Sequence, residues 1–234
     1  MTNAGFIPRE KLPTALQLIS IPPMGLYFEG DQSLLAMPCI SIVGSRKMTH
    51  YGREVIRRLV PDLVKAGLTI VSGLAYGVDA EVHRVMLENG GRGIAVLGGS
   101  FDRLYPASHH ALYQTMIGSG SLMVTEYPPG TSPRQYYFPA RNRIIAALSN
   151  VTLLVEAGEK SGSLSTAQAA LEANQVVCVI PSDITREGSL GALRLLRQGA
   201  IPVATAGDIL EHYVTPRIHV VESIGCQDCG IDTG

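Results

Sequence analysis

Cys39-Ile40-Ser41-Ile42-Val43-Gly44-Ser45-Arg46 is the stretch that decides the fold: a short, β-rich apolar run stopped by Gly and Ser. Apolar residues then recur at helical spacing through Val55, Ile56, Leu59, Val60, Leu63 and Val64, with Pro61 expected to kink or interrupt that helix. The unit repeats. Leu68-Thr69-Ile70-Val71 runs into Ser72-Gly73 before a helix from about Asp79, and Ile94-Ala95-Val96-Leu97 into Gly98-Gly99 before a helix after Pro106. Further strands read at Leu122-Met123-Val124, Val151-Thr152-Leu153-Leu154-Val155, Val176-Val177-Cys178-Val179-Ile180 and Ile201-Pro202-Val203. Strands that are apolar throughout belong in a sheet covered on both faces. With βα alternation this predicts an α/β, doubly wound, mostly parallel sheet in one main domain. Residues 1–37 read as a lead-in with a short helix over Leu12–Ile19 and an added edge strand over Met24–Phe28. Residues 38–213 form the sheet domain, and residues 214–234 a tail or linker.

Composition fits that class. Of 234 residues 46% are hydrophobic and 17% charged, enough apolar material for a substantial core. Nineteen Lys+Arg against 20 Asp+Glu leave a net charge of −1, so binding to a polyanion requires basic residues gathered locally. No apolar run reaches the roughly 18 residues of a membrane span, and the N-terminus lacks a secretory pattern. Four Cys in this length make no disulfide framework, and Cys39 and Cys178 lie in apolar runs as buried thiols. A cytoplasmic protein is expected.

In a doubly wound sheet, ligands bind outside the carboxyl ends of the strands. Those ends carry Gly44-Ser45-Arg46, Ser72-Gly73-Leu74-Ala75-Tyr76-Gly77, Gly98-Gly99-Ser100 and Glu156-Ala157-Gly158-Glu159-Lys160-Ser161-Gly162-Ser163. Gly admits close backbone approach, and Ser and free N–H groups bind anionic oxygens, so the loops make a candidate phosphate-binding rim. The plainer account is that βα loops need Gly for tight turns. A more local signal lies between Glu126 and Glu156, because residues 127–155 contain no acid. That interval holds Arg134, Tyr136-Tyr137-Phe138, Arg141, Asn142 and Arg143, combining phosphate-contacting charge with stacking surface as single-stranded nucleic acid binding requires. The competing account packs Phe138, Ile144 and Ile145 in the core and leaves the Arg side chains solvated.

Other chemistries find little support. Gly91-Arg92-Gly93 precedes a strand, so it is no dinucleotide fingerprint, and Walker, HExxH and G-x-S-x-G motifs are absent. His109-His110 reads as surface, and Cys226-Gln227-Asp228-Cys229 as half a zinc site without its second half. Asp79 looks like a helix cap and His83 like a hydrogen-bonded structural residue.

Taken together, the motifs resemble the DNA-processing family known as DprA or Smf, with an extended Rossmann-like domain. The matching stretches include Ile42-Val43-Gly44-Ser45-Arg46, Ser72-Gly73-Leu74-Ala75-Tyr76-Gly77-Val78-Asp79 with His83, and Tyr105-Pro106. Glu126-Tyr127-Pro128-Pro129-Gly130, Phe138-Pro139-Ala140-Arg141-Asn142-Arg143-Ile144-Ile145-Ala146, Glu156-Ala157, Ser161-Gly162-Ser163-Leu164 and Thr166-Ala167 follow in order. The resemblance covers about residues 12–213. It implies a non-enzymatic single-stranded DNA binder that protects incoming DNA and helps load a RecA-type recombinase in natural transformation. A homodimer is implied, with no cofactor or metal.

Residue by residue, the resemblance implies phosphate contact by Arg46 and a pocket lined by Phe138, Arg141, Asn142 and Arg143. Gly44, Ser45, Gly73, Gly98, Gly99, Ser161, Gly162 and Ser163 would supply backbone or hydroxyl contacts. This chain departs from the pattern at Ala107-Ser108-His109-His110, where relatives often carry a basic residue after Tyr-Pro, which implies one phosphate contact fewer. It departs also at Pro181-Ser182 and at Ser189-Leu190-Gly191-Ala192-Leu193. Two other readings use the same fold. One is a phosphoribohydrolase-like enzyme, whose Pro-Gly-Gly-x-Gly-Thr-x-x-Glu loop is here Ser161-Gly162-Ser163-Leu164-Ser165-Thr166 with Glu172 too distant. The other is a sensor of a nucleotide signal.

Overall fold

The computed structural model describes residues 3–214. Nine strands, β1 (Ala4–Pro8), β2 (Gly25–Gly30), β3 (Cys39–Val43), β4 (Thr69–Ser72), β5 (Gly93–Val96), β6 (Leu122–Thr125), β7 (Val151–Leu154), β8 (Val176–Val179) and β9 (Ile201–Pro202), form one sheet. Its order is β1-β2-β6-β5-β4-β3-β7-β8-β9. From β6 to β9 all neighbours are parallel, whereas β2 pairs antiparallel with β6 and β1 with β2. The mostly parallel doubly wound sheet is therefore the observed fold. From β3 the chain builds outward to β4, β5 and β6, then crosses back to β7, which puts the reversal of strand order between β3 and β7.

Helices cover both faces. Residues of α2 (His50–Lys65), α3 (Val78–Glu88), α4 (His110–Gly118) and α8 (Ala206–Val214) pack one core, among them Ile56, Leu63, Met86, Met116 and Ile209. The opposite core takes Leu16 of α1 (Thr14–Leu18), Ile144 and Ile145 of α5 (Tyr137–Ala147), Ala167 of α6 (Ser163–Glu172) and Leu195 of α7 (Leu190–Arg197). β3 feeds both, Ile40 and Ile42 to the first and Cys39 and Val43 to the second, as the two-residue period of a strand demands. The middle residue of that strand, Ser41, hydrogen-bonds Ile145 O and Ser149 Oγ at 2.6 and 2.8 Å, which satisfies its hydroxyl inside the core. Cys39 and Cys178 are buried free thiols, as expected. Among the described residues no helix is long and apolar enough to cross a membrane.

Three expectations need correction. Pro61 does not interrupt α2, which runs from His50 to Lys65 with Ala66 N–H donating to Asp62 O at 2.9 Å beyond the proline. One lost backbone bond is outweighed by burial of Ile56, Leu59, Val60 and Leu63 along the helix. The strand over Met24–Phe28 exists as Gly25–Gly30, but it is the second strand, since β1 lies outside it. β1 escapes a pattern search because only Ile7 of its five residues is buried. The tail over residues 215–234, with Cys226 and Cys229, lies outside the described residues.

Candidate nucleic-acid interface

The carboxyl ends of the parallel strands surround a cleft of about 1060 Å³. Gly44, Ser45, Arg46 and Lys47 enter it from the end of β3, and Gly158, Lys160, Ser161, Gly162 and Ser163 from the loop after β7. The two loops flank the reversal of strand order, where this topology opens a crevice. The far wall is the segment from Pro133 to Phe138 with the start of α5, and Tyr105.

Gly44 is needed for close approach: a Cβ there would stand 2.7 Å from Val78 Cγ2 and 3.1 Å from Glu156 O. Gly77, at φ +75°, turns the chain so that Val78 N–H donates to Ser45 O at 3.1 Å. These contacts leave Arg46 exposed at the mouth, its guanidinium carbon 5.2 Å from the centroid of the half-buried Phe138 ring. Tyr105 abuts the same ring at 5.4 Å. Arg46, Lys47, Arg134 and Lys160 are all exposed on the cleft, and among the described residues its one acid is Asp79. A chain of net charge −1 therefore presents a locally positive groove with an aromatic floor. Lys47 and Lys160 did not stand out in the sequence, because each sits in a Gly/Ser loop whose placement beside the other depends on the crossover between β3 and β7.

The remaining candidates divide. Ser161 and Ser163 line the cleft with their hydroxyls 2.7 Å apart. Asn142 also reaches it, but its amide is spent on Gly162 O at 3.1 Å and Ser165 Oγ at 2.8 Å, so it fixes the loop at the start of α6. Arg141 lies under the cleft, 3% exposed, its Nη1 donating to Val96 O. Burial lowers its pKa to about 10, the charge of Asp79 opposing the shift and that of Arg46 adding to it.

Gly73, Gly98 and Gly99 are corrections: none lines the cleft. A Cβ on Gly73 would overlap the Arg141 guanidinium, and one on Gly98 would meet the Phe138 ring at 2.8 Å. A Cβ on Gly99 would meet Pro133 Cβ at 3.2 Å. These glycines make room for the side chains that build the cleft.

Arg143 is the largest departure. It turns away to form a two-pronged pair with Glu126, Nη1 to Oε2 at 2.7 Å and Nη2 to Oε1 at 2.6 Å, and its Nε donates to Ile21 O at 2.7 Å. The acid that bounds the acid-free interval has claimed it. Arg143→Ala is accordingly expected to leave the salt dependence of strand binding unchanged and to lower stability, read by oligonucleotide titration at several salt concentrations and by thermal melting.

Asp79 does not cap α3, since the residue at the cap is Gly77. It is buried beneath the cleft, where burial raises its pKa against the opposing effects of Arg141, the Ala75 and Gly73 N–H groups and the Ser72 side chain. His83 is fully buried with neither ring nitrogen hydrogen-bonded among the described residues, contrary to its expected bonding. Burial chiefly, then the charges of Arg141 and His109, lower its pKa to about 3. His109 is buried too, its Nδ1 2.9 Å from Leu74 O, while His110 is exposed.

Known proteins share both the sequence and this geometry. Residues 5–214 match the model of the family described as DNA recombination-mediator protein A. The chain is 36% identical over 217 residues to DNA processing protein DprA of Bacillus subtilis (strain 168), covering 92% of this chain and 73% of that one. It is 41% identical over 202 residues to the Smf protein of Synechocystis sp. (strain ATCC 27184 / PCC 6803 / Kazusa), of which it spans 50%. DNA processing protein A from Helicobacter pylori, solved for insights into its single-stranded DNA binding mode, superposes with a TM-score of 0.80 at 31% identity over 91% of this chain and 98% of that one. A match running from within β1 to the end of α8, joined to a sheet of the same design, leaves one conclusion: the chain belongs to the DNA recombination-mediator protein A family.

Proposed function

We propose that the cleft holds a single strand of DNA, its phosphates against Arg46, Lys47, Arg134 and Lys160 and an unpaired base against Phe138. The observation that carries this reading is the exposed Arg46 guanidinium beside the Phe138 ring at the mouth of a basic groove. Charge tracks the backbone and the ring takes a base face, the combination that serves strands without sequence preference. A duplex keeps its base faces stacked inside, so the ring favours unpaired DNA. Family membership and the DNA-binding relative from Helicobacter pylori support the same assignment.

The wider role follows the family: a cytoplasmic recombination mediator, acting as a homodimer, that protects incoming DNA and passes it to a RecA-type recombinase in natural transformation. Binding is its task, with no catalysis. Asp79, the acid beneath the cleft, is engaged by the Ala75 and Gly73 N–H groups and the Ser72 side chain.

Titration with oligo-dT of increasing length, repeated with duplex of equal length, tests the reading. Affinity should grow with length and favour the single strand, whereas saturation by a mononucleotide would point to a nucleotide sensor. Arg46→Ala should reduce the slope of log affinity against log salt by about 0.7, one phosphate contact on a single strand. Phe138→Ala should weaken binding by about 1–3 kcal/mol at constant slope. An unaltered slope in Arg46→Ala would remove that side chain from the backbone.

A further inference from the structure

Beside the cleft lies a second cavity of about 450 Å³, within the roughly 300–1,000 Å³ range of small-ligand sites. Ser45, Lys47 and Gly188 line both spaces, so they are continuous along the sheet edge. Their chemistry differs. The second cavity has Tyr51 on one wall, its ring 38% exposed and pinned by a hydroxyl bond to Pro181 O at 2.7 Å. Glu156 brings a carboxylate already oriented by Thr49. Each carboxylate oxygen has a second lone pair and so can still accept from a ring or amino N–H. Of the two cations, Lys47 stands at the junction and Arg186 is drawn to Asp183 at 3.9 Å. Ser182 also lines it, its hydroxyl buried and without a hydrogen-bond partner among the described residues.

A carboxylate in the wall repels a phosphate. An aromatic face with acceptors and hydroxyls around it suits a base, and a lysine at the threshold suits the phosphate that precedes it. We propose that this cavity receives the base of one nucleotide of the strand lying in the basic cleft, stacked on Tyr51, with Lys47 holding the phosphate between the two spaces. The inference rests on the single-strand reading of the cleft.

The test places 2-aminopurine, whose fluorescence falls on stacking, at successive positions of an oligo-dT strand bound to the full chain. One position should be quenched by the wild type and by Tyr51→Phe, and released by Tyr51→Ala. A different position should be released by Phe138→Ala. Tyr51→Ala should weaken long strands by about fivefold to a hundredfold and leave unchanged the shortest strands that still fill the cleft. Equal loss at every length, or a quenching pattern that ignores Tyr51, overturns the second cavity while strand binding stands. So does mononucleotide binding that depends on Tyr51 and persists when the cleft is filled. Failure of the unaltered chain to bind any single strand overturns the cleft reading itself.

Discussion

Asp79→Ala is expected to lower the free energy of unfolding by about 3–5 kcal/mol, because it removes the negative charge that chiefly opposes the burial penalty on Arg141. Asp79 is 7% exposed and Arg141 3%, so neither group has water to fall back on. The carboxyl also collects the Ala75 and Gly73 N–H groups and the Ser72 side chain. Removing it strands those donors as well as the guanidinium, whose Nε already has no partner among the described residues. For a chain of this size the melting temperature should fall by on the order of 10 °C. Arg141→Met should be costly for the converse reason. The double variant should cost less than the sum of the two, since one uncompensated charge is what each single variant creates. A melting temperature for Asp79→Ala within about 2 °C of wild type would show that the pair carries little of the fold.

How far this was legible in the sequence depends on whether a feature is set locally. The runs at Cys39–Val43, Thr69–Ser72, Gly93–Val96 and Val151–Leu154 announce a doubly covered sheet, because every residue in each is buried. The Gly/Ser loops announce the edge that carries the site for the same reason: a chain that turns from strand to helix must do so there.

Orientation is a different matter. Arg46 and Arg143 look alike in sequence, yet one reaches the cleft and the other Glu126, and only the turn of α5 against the lead-in decides between them. Gly73 and Gly98 look like ligand-facing glycines, but the groups that come close to them are Arg141 and Phe138 of this same chain. Asp79 sits where a cap is expected and is pulled inside by a charge 62 residues later in the chain, a partner no local pattern announces.

The other large effect expected is on acid stability, and it belongs to His83. In the unfolded chain its imidazole takes a proton near pH 6.5, whereas in the folded protein burial holds that step down to about 3. Between those values the unfolded state binds the extra proton, so stability falls as pH falls, by up to about 1.4 kcal/mol per pH unit. From pH 7 to pH 5 the loss should reach about 2 kcal/mol. Asp79 works the other way, because its raised pKa lets the folded state take a proton first, and it offsets part of the loss at the acid end. Asp31, Asp102, Asp183 and Asp208 all have lowered pKa values, so their contributions are lost only below about pH 4. The interval from pH 6.5 to about 4.5 is therefore the one in which His83 can be read. His83→Leu removes the titrating group from a site where the ring makes no hydrogen bond among the described residues, so at pH 7 it should change stability by less than about 1.5 kcal/mol. Between pH 7 and pH 5 urea unfolding of this variant should show little further loss. A variant that keeps the wild-type acid limb would show that His83 does not carry it.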